Sequence, residues 1–261
     1  PDIGLTSLVE TAAVTRNVAS AIGVPLVVDA DNGYGNEDNV VRTVTELEHA
    51  GAAAMILEDQ VSPKRCGHAA GKQIIPLDSY LRKLECALRA RRTALVVVAR
   101  TDATSLDEGI LRAKRFREVG ADVVLIDGLA STEALERVGA EVPGHKIINL
   151  IHGGKTPPLG ARLLHDLGFK IVLYSTPALY TATYAMLGAM KHLRESGDLE
   201  SIASQSVTFR DFQQMIESRY LARATSAGLA RPESHADALF SEEESTRSRL
   251  LRAAPPEPGQ A

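Results

Sequence analysis

The chain has 261 residues, 44% of them hydrophobic, with a net charge of −4, enough apolar material for one large core of the size that an α/β barrel commonly fills. An aromatic content of 4% with no Trp, together with the negative balance, excludes a base-stacking or phosphate-tracking nucleic-acid surface. No apolar run reaches the roughly 18 residues of a membrane span and no secretory signal opens the chain, so a soluble, cytoplasmic protein is expected. Only Cys66 and Cys86 could form a disulfide, too few for a framework, which agrees with a reducing compartment.

Short, β-branched apolar runs recur along the chain, each followed by a polar loop and a segment of helical period. The runs are Pro25 to Ala30, Ala53 to Leu57, Leu95 to Ala99, Val123 to Ile126, Lys146 to Leu150 and Lys170 to Leu173. Helices are expected between them over Asn39 to Ala50, Leu77 to Arg91, Leu106 to Val119, Thr132 to Ala140 and Leu159 to Leu167. Gly51, Gly120 and Gly168 stand where three of these should stop, because glycine alone takes the left-handed conformation without a steric cost. Two more helices are expected over Thr181 to Glu195 and Thr208 to Thr225. The organisation read from this is a barrel over residues 1–195, a helical segment over 196–226 and a weakly ordered Glu-, Arg-, Ser- and Pro-rich tail over 227–261.

Strands buried on both faces belong to a parallel sheet covered by helices. Nearly every run ends in polar groups: Asp29 and Asp31, Glu58 and Asp59, Arg100 and Asp102, Asp127, Asn149 and His152, Tyr174 and Ser175. A barrel gathers all such strand ends at one mouth, whereas an open sheet spreads them along an edge.

Asp29 and Asp31 stand one pleat period apart, so both carboxylates can face the same side. With Glu58 from the next strand they make a hard-oxygen set suited to Mg²⁺ that keeps part of its water shell; the alternative is a pair of capping or solvated loop acids. An EF-hand is excluded because Val40 stands where its bidentate Glu is required. Lys64, Arg65, Cys66, Gly67 and His68 surround a thiol with cations, the setting of a reactive acid or base, and Gly67 admits close backbone approach to a ligand. Cys86, by contrast, sits among Leu81, Leu84 and Leu88 on a helix and reads as packing. The run Gly153, Gly154, Lys155, Thr156 is not a nucleotide P-loop, since Asn149 occupies the place of that motif's first glycine.

Taken together, the segments from Asp29 to Asn36, Glu58 to Gln60, Pro63 to His68 and Ala99 to Ala103, and Asn149 followed by Gly153 to Pro157, resemble the isocitrate lyase and phosphoenolpyruvate mutase superfamily over about residues 1–225. The Lys-Arg-Cys-Gly-His run from Lys64 to His68 resembles the lyase branch, which includes 2,3-dimethylmalate, 2-methylisocitrate and oxaloacetate-cleaving enzymes; carboxyphosphonoenolpyruvate mutases share the later glycine-rich element. The resemblance implies a (β/α)8 TIM-type barrel of the phosphoenolpyruvate/pyruvate type, with a C-terminal helical extension.

It also implies roles. Asp29, Asp31 and Glu58 would hold Mg²⁺, with Mn²⁺ as an alternative; Lys64 and Arg100 would contact substrate charge; Cys66 would move a proton, with His68 beside it. Gly67, Asn149, His152, Asp127 and Tyr34 would bind a small carboxylate substrate. The family assembles as dimers or tetramers that exchange a C-terminal helical region, a part that Thr208 to Thr225 would play. Its first two strands, with a metal-associated Asp and a Ser-Gly loop, are expected to lie outside this chain. Asp127 and His152 stand where relatives carry Glu, and the second exchange alters pocket charge. The implied activity is cleavage of a carbon–carbon bond in a 2-hydroxy di- or tricarboxylate; the alternatives are a phosphonomutase that forms a phosphorus–carbon bond and a binding-only paralogue.

Overall fold

The computed structural model describes residues 2–226. Six strands, β1 (Val27–Asp29), β2 (Ala54–Glu58), β3 (Val96–Thr101), β4 (Val123–Ile126), β5 (His145–Leu150) and β6 (Ile171–Tyr174), form one sheet in chain order. Every neighbouring pair is parallel. The order never reverses, which is the arrangement of a barrel wall and not of a doubly wound sheet. β1 and β6 are the two edges of this wall, so among the described residues it does not close on itself. The edges look different from the centre: Val27 on β1 and Ile171 on β6 are exposed, while every residue of β2 and β4 is buried.

Helices α1 (Leu8–Ala21), α2 (Glu37–His49), α3 (Leu77–Ala90), α4 (Leu106–Val119), α5 (Thr132–Glu141) and α6 (Ala161–Asp166) alternate with the strands. Their starts and stops follow from local chemistry. Ser7 and Glu10 form a reciprocal capping box on α1, and Asn36 and Asn39 do the same on α2, which satisfies N–H groups that a first turn leaves unpaired. Gly51, Gly120 and Gly168 have φ of +91°, +109° and +93°, as their placement after helical runs predicts. Expected and observed bounds differ by one or two residues at most ends, because a strand ends where its neighbour's hydrogen bonds end.

Side chains alternate across the strands and sort the core into two parts. Met55, Leu57, Val97, Ala99, Val124, Ile126 and Ile148 pack outward with the helices, while Ile56, Val98, Val123, Leu125 and Ile147 form a smaller inner cluster. That parity decides which residue at each strand end faces inward.

Among the described residues, 2–182 form one compact unit, which holds the sheet, and 183–226 belong to a second. α7 (Pro177–Ser196) begins in the first; α8 (Glu200–Ala203) and α9 (Phe209–Ser226) belong to the second. The tail expected over 227–261 lies outside the described residues. No helix of the described residues is long and apolar enough to cross a membrane.

Candidate active site

Continuing the inward parity of Ile56, Val98, Leu125 and Ile147 by two residues gives Glu58, Arg100, Asp127 and Asn149, and from β1 the same face carries Asp29. These are the polar groups at the inner mouth of the wall. The partner acid Asp59, one residue out of phase with Glu58, turns the other way. Its carboxylate accepts from the Thr101 hydroxyl at 2.7 Å, the Asp102 N–H at 2.9 Å and Arg112 Nη1 at 3.0 Å. Asp59 therefore binds β2 to β3 and α4 and does not meet substrate.

Arg100 is the centre of one half of the site. It is buried and reaches Asp102 at 2.8 Å through Nε, Asp127 at 3.0 Å through Nη2 and Glu58 at 3.4 Å through Nη1. Burial alone would push the Asp127 carboxyl up, but Arg100, His68 and Asn149 overcome it and hold the group well below the usual carboxylate range. Asn149 donates to Asp127 at 3.2 Å and accepts from the Ser175 hydroxyl. His68 accepts the Lys155 N–H on Nδ1 at 2.9 Å, which leaves Nε2 to carry the ring proton and face Asp127 Oδ1 at 3.4 Å. Gly67 passes over this cluster so closely that a Cβ there would stand 1.9 Å from Asp127 Oδ2 and 2.6 Å from Arg100 Nη2.

The second half gathers acids around one ammonium. Lys64 Nζ lies 2.7 Å from Asp2, 2.5 Å from Asp31, 3.9 Å from Glu58 and 4.0 Å from Asp29. Burial works against a charged Lys64, yet the fields of Asp29 and Glu58 and its bonds to Asp2 and Asp31 raise its pKa above the ordinary lysine value. Glu58 is in the opposite position: it is wholly buried, neither carboxylate oxygen has a hydrogen-bond partner, and burial pushes its pKa up to about 8 against the pull of Arg100 and Lys64. Burial also raises Asp31.

Asp2 was not singled out from sequence. It follows no apolar run, so the strand-end signal passes over it, and the resemblance placed an acid of this kind upstream. In the fold its carboxylate pairs with Lys64 at 2.7 Å and lines the same cavity as the Cys66 thiol; burial raises it, but Lys64, Cys66 and Arg100 bring its pKa below the ordinary value.

A cavity of about 630 Å³ joins the two halves; its lining includes Asp2, Asp29, Cys66, Gly67, His68, Arg100, Asp127, Asn149, His152 and Ser175. Cys66 is half-buried there and Cys86 is also unpaired. Tyr34, with a backbone φ of +60° and a hydroxyl that donates to Thr11 at 2.8 Å, is absent from this lining. It lines a second cavity of about 450 Å³ on the α1 side, together with Asp31 and Lys64.

Asp29, Asp31 and Glu58 fit a divalent cation by donor chemistry, all being hard oxygens, and by the two unsatisfied oxygens of Glu58. Among the described residues no three His, Cys, Asp or Glu side chains form a ready cage, and Lys64 occupies the space between the acids. A cation would be held partly through water, as Mg²⁺ commonly is.

The family profile described as phosphoenolpyruvate phosphomutase matches residues 1–194. The chain belongs to that family. The 2,3-dimethylmalate lyase of Eubacterium barkeri is 36% identical over 220 residues, spanning 83% of this chain and 76% of that protein. The chloroplastic carboxyvinyl-carboxyphosphonate phosphorylmutase of Arabidopsis thaliana is 37% identical over 225 residues, 83% of this chain and 66% of that one. An oxaloacetate acetylhydrolase solved with 3,3-difluorooxalacetate superposes with a TM-score of 0.80 at 30% identity, covering 88% of this chain and 80% of that one. The phosphoenolpyruvate mutase and isocitrate lyase superfamily is thus the chain's home, as the motifs around Asp29, Cys66 and Arg100 implied, and the chain is one of its enzymes.

Proposed function

We propose that this enzyme is a Mg²⁺-dependent carbon–carbon lyase, with Mn²⁺ as an alternative ion, that cleaves a 2-hydroxy di- or tricarboxylate through an enolate to release a 2-oxo acid. The observation that carries this reading is a single cavity lined by a thiol, a buried guanidinium and the rim of an acid cluster: Cys66, Arg100, Asp2 and Asp29. Asp29, Asp31 and Glu58 would hold the ion, which when bound supplies positive charge beside the oxygens of the substrate.

The residues of the chain do the rest. Arg100 and Lys64 meet negative charge as it develops, and both are held in place before substrate arrives. Gly67, His68, Asn149 and His152 bind the carboxylate groups, with Asp127 fixing His68, Asn149 and Arg100. The substrate hydroxyl gives its proton to Asp2, and its carbon becomes the carbonyl of the 2-oxo acid. The electrons of the broken carbon–carbon bond pass to the other fragment as its enolate, and Cys66 delivers its proton to that carbon. Asp2, which lines the same cavity as the thiol, returns the proton it took to Cys66 and closes the cycle.

Incubation with Mg²⁺ and 2,3-dimethylmalate, 2-methylisocitrate or oxaloacetate, followed by proton NMR, tests this. A 2-oxo acid from one of the first two, or acetate from hydrolysis of the third to acetate and oxalate, is expected; no product from any of them with folded enzyme overturns it. The 37% identity to the plant phosphorylmutase favours a second reading, a mutase that forms a phosphorus–carbon bond, and a phosphonate resonance in phosphorus NMR would replace the first. An assembly of two or four copies belongs to the same proposal, supported by α7, where Tyr184, Leu187 and Met190 are exposed. A cytoplasmic setting is part of it too, supported by the two unpaired cysteines.

A further inference from the structure

Lys83, on α3, is a buried cation that the mechanism above does not use. Its ammonium donates to the main-chain carbonyl of Asn32, and Glu37 and Glu58 are the carboxylates whose fields raise it. Burial lowers its pKa, so the fold carries an electrostatic cost at this position that an apolar side chain would avoid.

What it grips is the least relaxed stretch of backbone near the site. Asp31 and Tyr34 both have positive φ, +48° and +60°, and Gly33 and Gly35 lie at +82° and +152°. Residues with a Cβ hold such angles only where their surroundings impose them. The turn is held within itself by the Gly33 N–H on the Ala30 carbonyl at 2.9 Å, the Asp31 N–H on the Asp29 carboxylate at 3.1 Å and the Tyr34 N–H on the Asn32 side chain at 3.2 Å. From outside, the Glu58 N–H donates to the Asp31 carbonyl at 2.9 Å and Lys83 donates to the Asn32 carbonyl. Lys83 is the charged donor among these, and the carbonyl it holds directly follows Asp31, whose carboxylate faces Lys64.

We propose that Lys83 is a positioning residue for the acid cluster: by holding the Asn32 carbonyl it fixes the turn that aims the Asp31 carboxylate, and so sets how tightly the cluster takes a divalent cation. This rests on reading the cluster as a cation site. A neutral donor would satisfy the carbonyl, but a charged one forms the stronger bond; its charge by itself disfavours a nearby cation, so a loss of affinity on its removal reads the positioning.

The test compares wild type with Lys83→Met, Lys83→Gln and Lys83→Arg by two measurements: the Mn²⁺ dissociation constant from electron paramagnetic resonance, and hydrogen exchange of amides 31–35. For Lys83→Met, affinity should fall by about tenfold or more, and the turn should lose protection while β3 and β4 keep theirs; Lys83→Arg should recover part of both. Affinity and turn protection within twofold of wild type overturn the inference. If Lys83→Met does not fold, Lys83→Gln is judged by the same measurements, and failure of both to fold assigns Lys83 to general stability and overturns the positioning role. Wild type that takes no Mn²⁺ defeats the cation reading instead, and Lys83 is then judged on exchange alone.

Discussion

The two halves of the site handle charge in opposite ways. Around Arg100, carboxylates and cations pair at short range: Asp102 and Asp127 are buried against the guanidinium, Lys72 reaches Asp102 at 3.1 Å, and Asn149 donates to Asp127. Around Lys64, four acids share one ammonium, and Glu58, 3.4 Å from Arg100 Nη1, has no hydrogen bond to either oxygen. Burying a carboxylate without hydrogen bonds carries a large desolvation cost, and that cost falls on the Lys64 half. The contrast supports the proposed division of labour, in which the Arg100 half receives the anionic substrate and the acid cluster takes further positive charge.

The largest way to break the comparison is at Arg100. Replacing it as Arg100→Met leaves Asp102 and Asp127 buried without their main partner, and loss of about 3–5 kcal/mol is expected, as for other broken buried pairs; urea unfolding measures it. A loss near zero would mean that the Arg100 half is not a matched network.

Cys66→Ser comes next. The thiol is half-buried and shares the cavity with Asp2, so the variant should melt like wild type while turnover falls by about 10²–10⁴-fold, the range of one general acid–base group. Unchanged turnover in steady-state kinetics removes Cys66 from the proton path.

The smallest effect sharpens the other half. Burial raises the folded-state pKa of Glu58 from 4.5 to about 8, so the group favours folding most below pH 4.5, and that contribution is lost as pH rises through 8. In a chelator, Glu58→Gln should therefore gain stability relative to wild type between those limits. Saturating Mg²⁺ should reverse the trend, adding about 2.7 kcal/mol to wild type at a hundredfold excess over its dissociation constant. Calorimetric melts across the pH range, with and without Mg²⁺, would read both; a pH-independent difference in chelator sinks the account of Glu58 as an unsatisfied acid.

Much of this was legible in the sequence. The apolar runs in Ala54–Glu58 and Val96–Thr101 mark strands, and counting by two from Ile56 or Val98 aims Glu58 and Arg100 at the same face. Gly51, Gly120 and Gly168 mark helix stops because their φ is a local property. Tyr34 was not legible in this way: its side-chain direction depends on a left-handed backbone that the pattern does not reveal. Asp2 and Lys83 carry no periodic signal for their roles, since each is defined by what it touches across the fold.

By itself, then, the sequence determined the βα order, the parallel wall and membership of the family through the motifs around Asp29, Cys66 and Arg100, because period, turn residues and short motifs are encoded within a few neighbouring positions. Only the tertiary structure decided that Asp59 braces the wall while Glu58 stays unsatisfied, that Asp2 meets both Lys64 and Cys66, and that Lys83 reaches Asn32. Those outcomes depend on distances between groups far apart along the chain and on how completely water is excluded from them, and neither quantity exists until the helices have packed on the sheet.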